Sequence, residues 1–228
     1  MMKKITVLIL LVYINLDVYS QQSQERQVGS FSGVKVAEGI DVYLKKDDKE
    51  MVRVEVTGGD PEDVITEVSG SYLKVHMRSG NFTRNIQAKV YVSYVRVDKL
   101  SASSAGNIFS EGVLKASDLE LQASSAGNIE LSIESESVEV SASSASEIEL
   151  QGSTKSMTGD ASSAAQIDAY DLNAREVEIE VSSGASAKVS VEEELSAHAS
   201  SGGSIRYRGN PSKSNTNSSS GGSVKKSN

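Results

Sequence analysis

The chain has 228 residues, a formal net charge of −8 at pH 7, no cysteine and no tryptophan, and only 5% of its residues are aromatic. The acidic balance argues against nucleic-acid binding, because a protein that binds phosphate backbones presents a basic surface. Without cysteine the chain has no disulfide bonds and no residue for a bacterial lipobox. No recognisable cofactor motif is present, so we expect no cofactor.

The first twenty residues have the pattern of a secretory signal peptide. Lys3 and Lys4 precede an apolar run that extends from Ile5 to about Leu16, and cleavage is predicted after Ser20. The apolar run is too short for a lasting membrane span. We therefore expect export to the periplasm, the cell surface or the medium, with no membrane span in the mature chain. Residues 21–27 are predicted to be a flexible leader.

Residues 28–100 contain several runs in which apolar and polar residues alternate, as expected of strands. Val34, Val54 and Leu73 lie in successive runs, 20 and 19 residues apart. This spacing predicts degenerate coils of a solenoid, and a separate antiparallel cap is the alternative. Four tyrosines also lie in this region: Tyr43, Tyr72, Tyr91 and Tyr94. Sugar-binding surfaces use aromatic side chains, so glycan contact is most plausible here, although packing is the favoured role.

The stretch SASSAGNI at 101–108 returns six more times in altered form before the chain ends. The first serine of each pair is at position 103, 124, 143, 162, 182, 200 or 219, which gives spacings of 21, 19, 19, 20, 18 and 19 residues. A short and regular period of this kind indicates a solenoid, in which each unit packs only on its neighbours.

Apolar residues alternate with polar ones on both sides of each serine pair, so each unit is predicted to be a strand, a tight corner and a second strand. The apolar residues of this alternation, such as Ile148 and Ile167, are predicted to face the core. The predicted fold class is all-β, a right-handed parallel β-helix with coils of about 18–21 residues. Residues 101–209 form the regular coils, and residues 210–228 are predicted to be a final coil or a tail.

Three stretches together resemble a known family: FSGVKVAEGIDVYL near the N-terminus, the SSAGNI units, and the closing YRGNPSKSNTNSSSGGSVKK. The family is the secreted bacterial auto-transporter adhesin head domain, also called the head GIN domain. The resemblance covers the chain from about Val28 to Lys226 and implies an adhesin-like role.

The second serine of each pair is predicted to point inward at a narrow corner: Ser104, Ser125, Ser144, Ser163, Ser183, Ser201 and Ser220. A catalytic role would need a base beside one of them, and seven equivalent serines favour a structural role. The two histidines, His76 and His198, are interpreted as incidental. The adjoining Gly106-Asn107 and Gly127-Asn128 suggest a corner with positive φ, and Asn107 and Asn128 should begin a solvent-facing amide ladder.

The residue after the last apolar position of each unit is predicted to point outward. These residues are Phe109, Glu130, Glu149, Asp168, Lys188 and Arg206. The three carboxylates, Glu130, Glu149 and Asp168, are a weak candidate for a low-affinity Ca²⁺ site, and a solvated face is the favoured interpretation. No motif defines a metal site.

The sequence therefore favours a non-enzymatic, adhesin-like interaction module with a glycan or an extracellular protein as its ligand. A polysaccharide-acting enzyme on a β-helix and a periplasmic structural or envelope component are the alternatives. The sequence does not indicate an oligomeric state.

Overall fold

Alternating apolar and polar residues place the strands of this chain in two sheets that enclose a narrow apolar core. The structure is a computed structural model and describes residues 21–78 and 86–227. Every described element is a strand except one turn of 3-10 helix at Pro61–Asp63. The signal peptide predicted for residues 1–20 lies outside the described residues. The predicted all-β solenoid of parallel coils is confirmed, and its right-handed sense stays a prediction.

Eight strands precede the long strands of the regular coils. They are β1 (Gln21–Gln27), β2 (Gly33–Val36), β3 (Asp41–Lys46), β4 (Met51–Thr57), β5 (Val64–Ser69), β6 (Tyr72–Met77), β7 (Gln87–Tyr94) and β8 (Lys99–Ala102). Eight more strands follow. They are β9 (Asn107–Ala123), β10 (Asn128–Ala142), β11 (Glu147–Ala161), β12 (Gln166–Val181), β13 (Ser186–Ala199), β14 (Ser204–Arg208), β15 (Lys213–Ser218) and β16 (Ser223–Lys226).

Each long strand from β9 to β13 contributes to both sheets. The first part of β9 pairs with β3 and its last part with β8, and the two parts of β13 pair with β14 and β15 in the same way. The first sheet therefore runs β1, β4, β7, β3, the first parts of β9–β13, β14 and β16. The second sheet runs β5, β6, β2, β8, the last parts of β9–β13, and β15. Ile148 and Ile167, apolar residues predicted to face the core, are 0% and 1% exposed.

The order of the N-terminal strands in the sheets differs from their order along the chain. In the second sheet β2 lies between β6 and β8, and in the first sheet β3 lies between β7 and β9, all parallel. Val34 thus pairs with Leu73 and Leu100, whereas Val54 lies in the antiparallel strand β4 of the other sheet. The prediction that Val34, Val54 and Leu73 occupy successive coils is wrong, because alternation identifies a half-buried strand but neither its neighbours nor its direction. Strands β1, β4 and β5 pair antiparallel and close this end.

The flexible leader predicted for residues 21–27 is instead strand β1, and that prediction is wrong. All seven residues pair antiparallel with β4. The Arg26 guanidinium donates to the carbonyl oxygens of Pro61 and Val64, each at 2.6 Å, and to the hydroxyl of Thr66 at 3.0 Å. An edge strand is held by its backbone hydrogen bonds, so a polar sequence without apolar alternation can still form one.

The C-terminal segment adds one more coil to the regular stack. Strand β15 pairs in parallel with β13, and β16 pairs in parallel with β14. Every residue of β15 is exposed. Among the described residues, no helix is long and apolar enough to cross a membrane.

The corner between the second and the first sheet is a β-turn whose two central residues are left-handed. At Ser124–Gly127 the Gly127 N–H donates to the Ser124 carbonyl at 2.9 Å, and Ser125 and Ala126 have φ values of 51° and 59°. All seven serine-pair corners have this conformation, and Glu38 and Gly39 repeat it between β2 and β3. We call these turns the serine corners, and count the turn at Glu38-Gly39 among them. Left-handed φ costs a non-glycine residue about 1–2 kcal/mol.

Hydrogen bonds between coils offset part of this cost. The N–H of the second left-handed residue donates to the next coil, as from Ala126 to the Ser144 carbonyl at 3.1 Å and from Ala145 to the Ser163 carbonyl at 3.0 Å. The same bond joins Gly39 to Ser104 at 3.1 Å. Such a bond is worth about 0.5–1.5 kcal/mol net. The corners therefore form a continuous ladder that holds the coils in register.

The serine prediction is wrong in its direction. The second serine of each of the seven pairs is exposed at the tip of the corner: Ser104, Ser125, Ser144, Ser163, Ser183, Ser201 and Ser220. Two turn residues interrupt the strand alternation, so the next buried position is that of Gly127 and its equivalents. Gly106 and Gly127 do not have positive φ either. Gly127 is needed for close approach, because a Cβ there would lie 2.4 Å from the Ala102 carbonyl oxygen.

Glycine substitution should stabilise the protein at a left-handed corner residue and destabilise it at an ordinary strand residue. Ala145→Gly should raise the free energy of unfolding by about 0.5–1 kcal/mol, and Ala145→Val should lower it by about 1–2 kcal/mol. Ser141→Gly in the adjoining strand is the control and should destabilise by about 0.5–1 kcal/mol. Thermal melting followed by circular dichroism measures all three. Destabilisation by Ala145→Gly equal to that of the control would contradict the assigned corner conformation.

Candidate functional site

In-register pairing aligns one outward residue from each strand of the first sheet. We call this line of side chains the surface row. In spatial order it contains Glu25, Arg53, Tyr91, Tyr43, Phe109, Glu130, Glu149, Asp168, Lys188, Arg206 and Lys225. Neighbouring members lie about 4.8 Å apart, because that is the spacing of paired strands. The members from Phe109 to Arg206 thus point outward, as predicted from the sequence.

The aromatic section of the surface row consists of Tyr91, Tyr43 and Phe109. Tyr43 stacks on both neighbours, with ring centroids 5.2 Å apart in each pair and interplanar angles of 20° and 24°. The Arg53 guanidinium lies 4.0 Å above the centre of the Tyr91 ring and pairs with the carboxylate of Glu55. The stack and Arg53 cover both faces of Tyr43 and Tyr91 and one face of Phe109, so the two tyrosines offer their ring edges and hydroxyls to a ligand.

A groove beside the aromatic section brings together groups of both charges. Its volume is about 200 Å³, and its lining includes Glu25, Lys45, Arg53 and Glu111 beside the two tyrosines. Among the described residues, the hydroxyls of Tyr43 and Tyr91 have no hydrogen-bond partner. The groove therefore offers several free donors and acceptors close together.

The other two tyrosines of the predicted cluster lie elsewhere. Tyr94 is 4% exposed, and burial raises the pKa of its hydroxyl. Tyr72 lies on the second sheet, where a Cβ on Gly33 would come within 2.5 Å of its ring, and the Lys35 ammonium lies 4.1 Å from the ring centre. The predicted packing role therefore fits these two tyrosines.

The acidic section of the surface row consists of Glu130, Glu149 and Asp168, which lie side by side. Partial burial, followed by the neighbouring charges of Glu130 and Asp168, raises the pKa of Glu149. Asp168 accepts a 2.6 Å hydrogen bond from the Lys188 ammonium. Within residues 21–78 and 86–227, no three His, Cys, Asp or Glu side chains are arranged to hold a metal ion, so the Ca²⁺ hypothesis gains no support.

The basic section consists of Lys188, Arg206 and Lys225. The hydrogen bond to Asp168 raises the pKa of Lys188, and the charge of Arg206 opposes that shift. Arg206 and Lys225 are exposed and have no ion-pair partner in the described part of the chain. Tyr170 lies beside this section, with its hydroxyl 2.7 Å from that of Ser227.

The remaining predicted residues do not join the surface row. Asn107 and Asn128 are half-buried neighbours in the adjoining row, and Asn107 donates to the Asp41 carboxylate at 2.7 Å. His76 is half-buried, with its Nδ1 2.9 Å from the Met77 carbonyl oxygen. His198 lies in the second sheet.

A larger groove lies on the second sheet. Its volume is about 410 Å³, and charged residues dominate its lining. Two ion pairs neutralise part of that lining, Lys99 with Glu120 at 2.6 Å and Arg96 with Asp98 at 3.1 Å. Both basic residues of this groove are thus engaged by neighbouring carboxylates.

Sequence reasoning missed the stacking of Tyr43, Tyr91 and Phe109 and the contribution of Arg53. A signal for Tyr43 was available, because AEGIDVY at 37–43 aligns with the corner SSAGNIF at 103–109. No comparable signal exists for Arg53 and Tyr91, since their positions depend on the altered spatial order of the N-terminal strands.

Repulsion within the acidic section predicts that Glu149→Gln raises the melting temperature slightly, by about 1–2 °C, in dilute protein at pH 7 and low salt. Because the folded state raises the pKa of Glu149, its ionised form destabilises that state, and the gain should shrink as the pH falls and the carboxylate is protonated. Glu178→Gln, whose row neighbours are Thr158 and Ser196, is the control. A saturable Ca²⁺ stabilisation that Glu149→Gln abolishes would contradict the solvated-face interpretation.

Comparison with known proteins identifies the family of this chain. The sequence profile of the family described as "Putative auto-transporter adhesin, head GIN domain" matches residues 30–211. No curated protein matches the chain.

Three solved structures share the fold. A "putative adhesin" from Bacteroides fragilis has a TM-score of 0.81 and 17% identity, and the match covers 91% of this chain and 97% of that chain. A "putative adhesin" from Parabacteroides merdae has a TM-score of 0.73 and 17% identity, over 91% and 96% of the two chains. A "Putative lipid binding protein" from Parabacteroides distasonis has a TM-score of 0.71 and 21% identity, over 91% and 97%. Since the family profile covers most of its length, the chain belongs to the auto-transporter adhesin head GIN domain family, as its SSAGNI repeats indicate.

Proposed function

We propose that this protein is an exported, non-enzymatic, adhesin-like module that binds an extracellular glycan through the N-terminal end of the surface row. The observation that carries the proposal is the line formed by Arg53, Tyr91, Tyr43 and Phe109 across neighbouring strands of an exposed sheet. Membership of an adhesin family and the export signal predicted for residues 1–20 support a role at the cell surface or outside the cell.

The geometry favours binding over hydrolysis. A glycoside hydrolase places two carboxyl groups on opposite sides of a bound sugar. The carboxylates of the acidic section instead lie in one line on an open sheet, beside one another rather than across a cleft. Tyr43 is stacked on both faces and Tyr91 lies between Tyr43 and Arg53, so a sugar would not stack on either tyrosine as it does on aromatic rings in many saccharide-degrading clefts.

The groove beside the aromatic section matches the hydrogen-bonding needs of a glycan. Sugar hydroxyls both donate and accept, and the groove presents Lys45 and Arg53 as donors and Glu25 and Glu111 as acceptors. It also presents two phenol hydroxyls that have no partner in the part of the chain that the structure describes. Because the stack fixes the rings, their hydroxyls are held in place before the ligand arrives, which lowers the entropy cost of binding.

The test is a glycan and matrix-protein array probed with the mature chain beginning at Gln21. We expect selective glycan binding that falls at least about tenfold in the double variant Tyr43→Phe with Tyr91→Phe, because that change removes the hydroxyls and keeps the stacked rings. Tyr72→Phe on the second sheet is the matched control and should bind normally.

Three outcomes would overturn the proposal. They are equal binding by the double variant and the control, selective binding to matrix proteins alone, and cleavage of a polysaccharide by the chain. Protease accessibility of the protein on intact cells tests its location separately, and protection in intact cells with digestion after lysis would favour a periplasmic component.

A further inference from the structure

The C-terminal six positions of the surface row carry charges in an ordered sequence. Three acids, Glu130, Glu149 and Asp168, are followed by three bases, Lys188, Arg206 and Lys225. The chain as a whole has a net charge of −8, so a run of three bases on one line is not explained by composition. Adjacent acids and adjacent bases are separated by the same distance, about 4.8 Å, because each lies on the next strand of the sheet.

When this row is placed against a second copy in reverse order, every acid faces a base. Consider a second copy that packs face to face on the first sheet and is related to the first copy by a two-fold axis parallel to the strands. This rotation inverts the order of the coils. The surface row of one copy then lies opposite the surface row of the other. Glu130 then lies opposite Lys225 of the second copy, Glu149 opposite Arg206, and Asp168 opposite Lys188. Each contact occurs twice, as an isologous interface requires.

The opposite orientation is unfavourable. A two-fold axis parallel to the solenoid axis keeps the coil order, so each charge of the row meets the same charge on the second copy. Like charges placed opposite one another in an interface suppress that mode of association. The row therefore selects the antiparallel arrangement over the parallel one.

The flanking rows do not oppose this packing. On one side Glu147 would meet Ser204, and the remaining members of that row are uncharged: Asn128, Gln166, Ser186 and Ser223. On the other side Arg208 would meet Gln151. Asp171 lies in a register shift between β12 and β13 and forms a 3.1 Å ion pair with Arg208 of its own protomer. No two like charges in these flanking rows come opposite each other.

We propose that the protein forms an antiparallel homodimer through the first sheet, in which the acidic section of each protomer binds the basic section of the other. Six strands about 4.8 Å apart and about 20 Å of strand length give roughly 600 Å² on each protomer. That area is at the lower limit for a specific interface. The dimer is therefore weak and dissociates when salt screens its charges.

Two observations fit this assembly. Partial burial and then the charges of the neighbouring acids raise the pKa of Glu149, and an opposing cation would relieve the repulsion between those acids. Arg206 and Lys225 have no ion-pair partner within the described part of the chain. The aromatic section extends past the end of the opposing protomer, so each dimer would leave two aromatic sections free at opposite ends.

The test is sedimentation equilibrium of the mature chain at low salt and at about 0.5 M NaCl. We expect a monomer–dimer equilibrium at low salt that shifts to monomer at high salt. Glu149→Lys and Arg206→Glu should each raise the dimer dissociation constant about 100-fold, because each variant creates two like-charge contacts per dimer. An equimolar mixture of the two variants should dimerise again, since both contacts of the mixed dimer then join opposite charges.

Glu178→Lys on the second sheet makes the same charge change as Glu149→Lys and should leave the dissociation constant unchanged. Circular dichroism checks the folding of each variant, and Glu130→Lys with Lys225→Glu is the replacement pair if either variant misfolds. A chain that stays monomeric at low salt up to about 100 μM, or a dimer that both variants leave intact, would overturn the proposal. So would failure of two folded, complementary variants to associate. This hydrodynamic result does not depend on whether a glycan ligand is found.

Discussion

The hydrogen bond that links one serine corner to the next is the constraint on which the rest of the structure depends. Each corner holds two residues in the left-handed region, and that conformation turns a backbone N–H toward the following coil, as from Ala145 to the Ser163 carbonyl. Parallel coils can slip past one another unless something fixes their register, and a slip of one residue would exchange the buried and exposed sets. The ladder fixes the register at one edge of both sheets, so the apolar core and the outer rows follow from it.

Fixed register also explains the functional surface. Residues at equivalent positions of successive coils become neighbours about 4.8 Å apart. A preference for one residue type at such a position therefore produces a line of similar side chains on the sheet. The surface row contains a stack of three aromatic rings, then three acids, then three bases. Ligand binding at one end of this row and self-association at the other are compatible, because the opposing protomer covers the charged sections and leaves the aromatic section free. The two-fold axis turns the two aromatic sections of a dimer to face opposite directions, so such a dimer would link two separate glycan chains rather than bind one surface with both ends.

The repeat and its alternation predicted most of the regular coils, including the burial of Ile148 and Ile167, because period-two alternation reports directly which side chains face a core. The same counting failed at Ser144, since two left-handed residues interrupt the alternation and place that serine at an exposed tip. It also failed for residues 21–27, because a polar edge strand is stabilised by backbone pairing that leaves no apolar pattern. The spatial order of the N-terminal strands, which brings Tyr91 beside Tyr43, depends on long-range pairing that local periodicity does not encode.

Amide hydrogen exchange of the mature chain, resolved by residue, tests the role of the corner ladder most directly. Ala145 and the preceding Ser144 are both exposed turn residues, but only the Ala145 N–H has an acceptor, the Ser163 carbonyl at 3.0 Å, among the described residues. The Ala145 amide should exchange at least about 100-fold more slowly than the Ser144 amide, and Ala126 and Ser125 should show the same contrast. Fast exchange at both positions of each corner, at the rate of an open loop, would contradict this role of the corner ladder.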